Sequence, residues 1–384
     1  MQASNHPTIS TRFTLRPTQV QVDLDRLTQN YQAIQNHVGR ATVMPILKAN
    51  AYGHGLVRVG QHMQSLGAKV LGVAYLEEGI LLREAGVATP ILVLGGILGS
   101  QAPLFLQHDL MGTASSVEKL EQLEAAAEAA GMRARVHLKI DTGMERIGVH
   151  YYNADTLLEA SLRCKHVEVA GIFSHFANAE AADLTSARLQ VERFQETMRF
   201  YEKRSLPLPL RHMANSGAIL QLPESWFDLV RPGILLYGVY PAQQVQHTVH
   251  VRPALTWTSR VVYFKVVKAG HPVSYGSTWQ SDHAVRVLTV PVGYGDGYFR
   301  SMSAKAQVLI DGKRYPVVGA ICMDQFMVNI EQDSVYNEDE VLLIGETKGD
   351  RISVEELAEW AGTIPYEILT NINTRVPRIY LQDQ

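Results

Sequence analysis

The chain has 384 residues, of which 46% are hydrophobic and 19% charged. That balance excludes disordered and fibrous classes and leaves room for two domains with sizeable cores. A formal net charge of -3 provides no basic stripe to neutralise a run of phosphates, so nucleic acid is excluded as a partner and a small molecule is expected. The two cysteines, Cys164 and Cys322, lie far apart without metal-ligand spacing. Neither a disulfide framework nor a metal site is expected, and a reducing, cytoplasmic compartment fits.

Met1 to Pro17 is polar and carries no apolar run, so it reads as a loose lead-in and not as a secretory signal or membrane anchor. An opening helix is expected over Leu24 to His37. Short apolar runs then alternate with helical patterns: Thr42–Leu47, Val70–Ala74, Ile91–Leu94, Met111–Ala114, Arg135–Ile140, Val167–Ser174, Arg211–Met213 and Phe227–Leu236. Near-continuous apolarity is the mark of parallel strands buried on both faces. The helical patterns between them include Ser116–Ala130, which Ser115 or Ser116 can cap, and Leu184–Lys203. Eight such strands with connecting helices predict a (β/α)8 TIM barrel over residues 16–250. The longest apolar stretch, Pro90 to Gly99, is about half of the roughly 20 residues a spanning helix needs, so no membrane span is expected.

After Gly238 the texture changes. From Ala254 to Ile344 the runs are short and β-branched, separated by turn signals such as Lys268-Ala-Gly270 and Asp311-Gly312. Tyr315–Val318 and Met327–Ile330 read as strands and Ser353–Trp360 as a helix. A C-terminal, mostly β-strand domain is expected over residues 251–384, and the first residues of the chain are expected to pair with it. Gly293-Tyr-Gly-Asp-Gly297 superficially suggests a dinucleotide fingerprint, but it opens no helix and reads as a turn.

Barrel enzymes carry their chemistry at the C-terminal ends of the strands. After the first run stands Lys48; after the fifth, Asp141-Thr-Gly and then Arg146; after the sixth, His175; after the seventh, Asn215-Ser216-Gly217; within the eighth, Arg231-Pro-Gly233-Ile234. The loops after strands seven and eight commonly bind phosphate, and a strand-end lysine across the barrel mouth suits a cofactor with an aldehyde and a phosphate on one ring, as pyridoxal phosphate has.

Pro45-Ile-Leu-Lys48-Ala-Asn-Ala-Tyr52-Gly-His-Gly55 resembles the cofactor-lysine signature of alanine racemases. The resemblance continues through Lys139-Ile-Asp-Thr-Gly-Met-Glu-Arg146, Ser174-His175-Phe, Ala214-Asn215-Ser216, Val230-Arg231-Pro-Gly-Ile, Ser274-Tyr275-Gly, Val292-Gly-Tyr294-Gly-Asp-Gly, Cys322-Met323-Asp324-Gln and Arg375-Val-Pro-Arg. It spans about residues 20 to 380 and is collinear throughout. It implies pyridoxal 5'-phosphate as cofactor, joined to Lys48, with Tyr52, Asn215, Ser216, Gly233, Ile234 and Tyr366 around its phosphate. Arg231 is expected to face the pyridine nitrogen, His175 to orient Arg231, and Arg146 to meet the phenolic oxygen and the substrate.

The resemblance further implies racemisation of L-alanine to D-alanine for peptidoglycan by two opposed bases, Lys48 and Tyr275. Tyr275 is expected to come from the other subunit of a homodimer with shared active sites. Met323 and Asp324 are expected at the substrate carboxylate, and Lys139 is expected to be carbamylated. Cys322 reads equally as a small buried residue or part of the substrate site.

Three positions depart from the family. Ala320 stands where Arg is frequent, Glu180 where Asp is frequent, and Asn371-Ile-Asn373-Thr374 where Ser-rich sequence is common; Tyr294, Arg300 and Ile364 keep the usual residues of the substrate corridor. The alternatives are a racemase of broader specificity, acting on serine or basic amino acids, a barrel decarboxylase, and a noncatalytic pyridoxal-phosphate-binding protein. Arg231 opposes the decarboxylase, and Tyr275, Met323 and Asp324 oppose the carrier.

Overall fold

A computed structural model describes residues 16–382; most of the expected lead-in lies outside them. Two compact units form: Leu27–Arg252, and the residues up to Arg26 together with those from Pro253 onward.

The first of these is the eight-stranded parallel barrel. Its strands are Thr42–Val43, Leu71–Val73, Ile91–Val93, Leu110–Ala114, Ala134–Asp141, Val167–Phe173, Leu210–His212 and Leu229–Val230, called here the first to the eighth. Neighbours in sequence pair in parallel around the ring. The ring closes between the first and second strands, where Leu47 N donates to Gly72 O (2.8 Å) and Gly72 N to Pro45 O (2.9 Å). Gly72 leaves room there for Ile46, whose Cδ1 would stand 2.5 Å from a Cβ at this position.

The first and eighth strands are shorter than their apolar runs suggest. Pro45 and Pro232 have no N–H to give the ladder, and after Pro232 the chain turns into a short 3-10 segment, Ile234–Tyr237. The path still binds its neighbour, since Met44 N donates to Val230 O (2.8 Å) and Ile46 N to Pro232 O (3.1 Å). Between the fourth and fifth strands the helix Val117–Ala130 starts as its sequence directs: Ser116 Oγ accepts from Lys119 N (3.2 Å), and Gly131 ends it at φ +63°.

The second unit is a β-sheet running Tyr263–Val267, Val285–Val290, Phe326–Asn329, Lys313–Val318, Gln307–Ile310, Glu340–Thr347, Leu255–Arg260, Gln19–Asp23 and Arg378–Leu381. Gln19–Asp23 buries Val20 and Val22 while its alternate residues face outward. It pairs antiparallel with Leu255–Arg260 and parallel with Arg378–Leu381. Residues 16–26 therefore belong with the β unit, and a barrel boundary at residue 16 is too early; the apolar alternation of this strand alone does not say which sheet it joins. At Asp311-Gly312 both residues have positive φ, 51° and 80°, the geometry of the tight hairpin that joins Ile310 to Lys313. Ser353 and Glu356 cap the helix Val354–Ala361 reciprocally. Among the described residues no helix is long and apolar enough to cross a membrane.

Asp296 anchors this unit. It lies in the Gly293–Gly297 turn, fully buried, and its oxygens accept from Arg16 Nη2 (2.7 Å), Arg375 Nε (2.7 Å) and Gly293 N (3.0 Å). Burial works to raise its pKa, but Arg16, Arg375 and the Gly293 N–H together hold it below the usual carboxylate range. A depressed carboxylate stabilises the fold at every pH above its unfolded value and loses that contribution only as pH falls through the folded one. Asp296→Ala is expected to cost about 3 kcal/mol at neutral pH, the low end for breaking a buried pair because both arginines can return to water. Urea unfolding midpoints at pH 7, compared with the unaltered chain, measure it.

Candidate active site

Lys48 stands a few residues past the first strand, Thr42–Val43, and begins a turn that L-residues rarely adopt. Ala49, Asn50, Ala51 and Tyr52 have φ of 54°, 56°, 53° and 51°, a left-handed turn costing about 1–2 kcal/mol per residue. Bonds that hold it include Ala49 N to Glu78 Oε1 (2.6 Å), Ala51 N to Leu47 O (2.7 Å), Leu56 N to Asn50 Oδ1 (2.8 Å) and Gly55 N to Asn50 O (2.9 Å). Glu78 Oε2 also accepts from Ala74 N (2.8 Å), just past the second strand. One carboxylate thus ties the ends of the two strands between which the barrel closes.

The turn carries Tyr52 to the end of the eighth strand. A Cβ on Gly233 would stand 2.3 Å from Tyr52 Oη, so only glycine permits this approach. Ser216 Oγ accepts from Gly233 N (3.0 Å) and Leu235 N (3.3 Å). Tyr52, Ser216, Gly233 and Ile234 are therefore contiguous. Asn215 caps the short helix after the seventh strand through Ala218 N (3.0 Å) and donates to Glu180 Oε1 (3.3 Å). Burial raises the Glu180 carboxyl above its ordinary range.

Arg231 is buried and makes four bonds, all to uncharged acceptors. Its Nη1 meets His212 Nδ1 at 2.8 Å, and its Nη2 reaches Ser174 O (2.8 Å), Met213 O (2.9 Å) and His175 Nδ1 (3.1 Å). Burial brings it down to about 9, still cationic at neutral pH. Desolvation, followed by the charge of Arg231, drives both His175 and His212 well below the ordinary histidine value, so both are neutral.

Lys139 shares the inward face of the fifth strand with His137. It is buried, its Nζ is 4.4 Å from the Phe173 ring centroid, and among the described residues it forms no ion pair. Burial, then Arg231, lowers its proton affinity well below that of free lysine; Asp141 opposes and Arg146 adds. Arg146 itself follows a loop organised by Asp141, whose oxygens accept from Gly143 N (2.8 Å), Met144 N (2.9 Å) and Arg146 N (3.2 Å). Lys48 is accessible to solvent yet ringed by protein. Desolvation is the largest cause of its lowered pKa; Arg146 and Arg231 add to it and Glu78 opposes.

The β unit carries the remaining candidates. Tyr275 is 73% exposed and follows Ser274, a non-glycine residue at φ +67°. That conformation is held by Ser274 Oγ donating to Ala320 O (2.6 Å). Ser274, Tyr275 and Cys322 line a cavity of about 720 Å³. Cys322 is half-buried, its Sγ 3.6 Å from Ser274 Oγ. Exposed Met323 accepts at its carbonyl from Gly295 N (2.9 Å), and Arg375 Nη2 binds Asp324 Oδ1 (2.8 Å). Tyr366 is half-buried in the helix Pro365–Asn371. In the departing segment, Asn373 Oδ1 accepts from Arg375 N (2.9 Å) and so shapes the turn into Arg375.

The barrel thus gathers Lys48, Tyr52, Lys139, Arg146, His175, Asn215, Ser216, Arg231, Gly233 and Ile234, and the β unit holds Tyr275, Met323, Asp324 and Tyr366. Glu78, His212 and His137 belong beside the barrel residues and were not singled out from the sequence. Glu78 has a local signal, standing three residues beyond the cap position Tyr75; the histidines read as ordinary strand residues. Among the described residues no group of three or more His, Cys, Asp or Glu is placed to hold a metal ion.

Residues 22–241 match the family described as alanine racemase, N-terminal domain, and residues 254–380 the alanine racemase C-terminal domain. The chain is 42% identical over 369 residues to an alanine racemase of Carboxydothermus hydrogenoformans, covering 96% of this chain and 100% of that one. An alanine racemase structure from Streptomyces coelicolor A3(2) superposes with a TM-score of 0.92 at 35% identity, covering 97% of this chain and 100% of that one. A Clostridium difficile 630 alanine racemase in complex with cycloserine superposes at 0.88 and 32% identity, covering 95% and 96%. A barrel joined to a β unit with this likeness defines an isomerase acting on a small amino acid. The chain belongs to the alanine racemase family, and its reaction is the racemisation of alanine.

The lowered proton affinity of Lys48 makes its amine nucleophilic at a pH where surface lysines are protonated. Reductive methylation of the ligand-free protein with 13C-formaldehyde, followed by peptide mass spectrometry across pH, should label Lys48 with a midpoint below that of the surface lysines. A midpoint shared with them removes the claim.

Proposed function

We propose that the racemisation runs on pyridoxal 5'-phosphate held at the barrel mouth, with Lys48 on one face of the substrate and Tyr275 of the partner subunit on the other. The observation that carries this reading is the pairing of an accessible, readily deprotonated Lys48 with a buried Arg231 that spends its other hydrogen bonds on neutral acceptors. The cofactor fits these residues. Lys48 can hold its aldehyde, and Tyr52 with Ser216 and the Gly233-Ile234 backbone form a tight polar cradle for its phosphate. Arg231 and Arg146 supply the positive field that a pyridine nitrogen and a phenolate need.

Bound there, the cofactor withdraws electrons from the α-carbon and so acidifies its C–H. Arg231 can only donate, so a ring nitrogen set against it stays unprotonated, which limits that withdrawal and favours return of the proton to the α-carbon. With the cofactor bound, the free amine of Lys48 would take or return the proton on one face of the α-carbon. Exposure of Tyr275 on a strained turn, in a cavity it lines together with Cys322, supports its reaching across a homodimer to the opposite face. Met323 and Asp324 are assigned to the substrate carboxylate, His175 to orienting Arg231, and Tyr366 to the phosphate. Lys139, buried without a carboxylate partner and with its proton affinity lowered first by that burial, is favoured toward the uncharged amine that carbon dioxide requires, and we assign it a carbamate that pairs with Arg146. The product supplies D-alanine for peptidoglycan in the cytoplasm. Ala320 removes a positive charge expected along the substrate corridor, whereas Glu180 keeps a carboxylate on a longer side chain, which favours altered access over altered chemistry.

Chiral chromatography after incubation with pyridoxal phosphate and single L-amino acids tests substrate and reaction. D-alanine should far exceed D-serine and the D-basic amino acids; a dominant D-serine or D-basic product moves the substrate, and no D-product removes the reading. Lys48→Ala should abolish both racemisation and retention of the cofactor's absorbance through gel filtration. Tyr275→Phe should slow racemisation by about 100-fold or more while deuterium still enters D-alanine from solvent at the Lys48 face; equal loss on both faces breaks the two-base assignment. For Lys139, a carbamate 13C resonance should arise from 13C-bicarbonate and vanish in Lys139→Ala.

A further inference from the structure

Behind Arg231 the hydrogen bonds continue into the barrel. His212 Nε2 lies 2.8 Å from His137 Nδ1, on the inward face of the fifth strand. Both rings are buried, at 0% and 2% exposure. The chain makes room for this contact: a Cβ on Gly171 would stand 2.3 Å from His137 Nδ1. His212 also stacks on Phe173, with centroids 4.7 Å apart and planes 4° from parallel, which fixes the plane of its ring.

Protons follow from one constraint. A guanidinium has donors only, so His212 Nδ1, facing Arg231 Nη1, must be the acceptor. A neutral imidazole accepting at Nδ1 carries its proton at Nε2, which must then be donated to His137 Nδ1. His137 in turn is neutral and protonated at Nε2. Either ring in the opposite tautomer would bring two N–H groups face to face in a buried site, or leave a buried donor unmatched.

We infer that His137 is a positioning residue for the reaction: by accepting from His212 it locks the tautomer that lets His212 accept from Arg231, and so fixes the guanidinium. This rests on the reading that Arg231 faces the pyridine nitrogen, but the proton assignment stands apart from it. His137 touches neither substrate nor cofactor in this account. Its influence passes through His212 alone, and the resulting error in Arg231 falls on how the proton is partitioned, with little effect on how alanine binds.

Neutron diffraction from the deuterated, unaltered protein should show deuterium on Nε2 of His212 and none on its Nδ1; deuterium on Nδ1 overturns the inference, whatever the reaction proves to be. His137→Leu removes the acceptor, whereas His137→Asn keeps an oxygen near the place of Nδ1. The leucine variant should lower kcat about 10-fold or more with KM for alanine within about 2-fold, and convert several times more cofactor to its amine form per turnover; the asparagine variant should restore both values. Loss of kcat in both variants alike, with an unchanged partition, marks a purely structural role and overturns the inference. If the leucine variant does not fold, the neutron positions and the asparagine partition still decide it.

Discussion

A permanently charged arginine in the barrel interior, with no carboxylate to meet it, is the constraint around which the site is arranged. A buried cation without compensation is costly, and the usual remedy is a paired acid. Arg231 is instead held by the carbonyls of Ser174 and Met213 and by two neutral imidazoles. Each of those acceptors comes from the end of the sixth or seventh strand, so the guanidinium can be satisfied only if the strand ends arrive in register. The neutrality of the histidines follows from the same charge, since Arg231 is second only to burial in holding His175 and His212 unprotonated. An acidic partner would quench the field that the site requires; neutral partners leave it intact.

The left-handed turn after Lys48 answers a different demand. A strand end aims its last side chain, but a right-handed continuation would carry the chain away from the eighth strand. Four residues at positive φ return it, placing Tyr52 against Gly233. The strain is offset by Glu78 and Asn50, which supply acceptors from side chains where the turn leaves amides without regular partners. Glu78 also moderates the fall in the Lys48 pKa, so one residue sets both the geometry and the proton affinity of the strand-end amine.

Much of the architecture was legible because parallel strands buried on both faces read as continuous apolar runs: Ile91–Val93 and Leu110–Ala114 lie within a residue of their runs. The first and eighth strands were overread where Pro45 and Pro232 interrupt the ladder, and the N-terminal strand was ambiguous because alternation shows a buried face without naming the sheet. Motif loops made Lys48, Tyr52, Ser216 and Gly233 visible together. Glu78, His212 and His137 were not, because their roles are tertiary: a glutamate at a helix start reads as a cap, and a histidine in a strand reads as core. Their significance lies in distances across strands that no spacing along the chain encodes.

The charge arrangement finally bears on what the barrel mouth attracts. Burial first, and then the charges of Arg146 and Arg231, lowers the proton affinity of both Lys48 and Lys139, and the aromatic ring of Phe173 lies 4.4 Å from Lys139 Nζ and 5.5 Å from Arg231 Cζ. An aromatic face softens such repulsion by at most a few kcal/mol, about 2 kcal/mol in a desolvated site. The remaining imbalance is relieved by anions, and a phosphate, a phenolate and a substrate carboxylate are the anions that the proposed chemistry brings. Burial does most to make Lys48 a ready base, and the charges of Arg146 and Arg231 that add to it are the same ones that attract those anions, so a cation left without an acid serves binding and adds to activation.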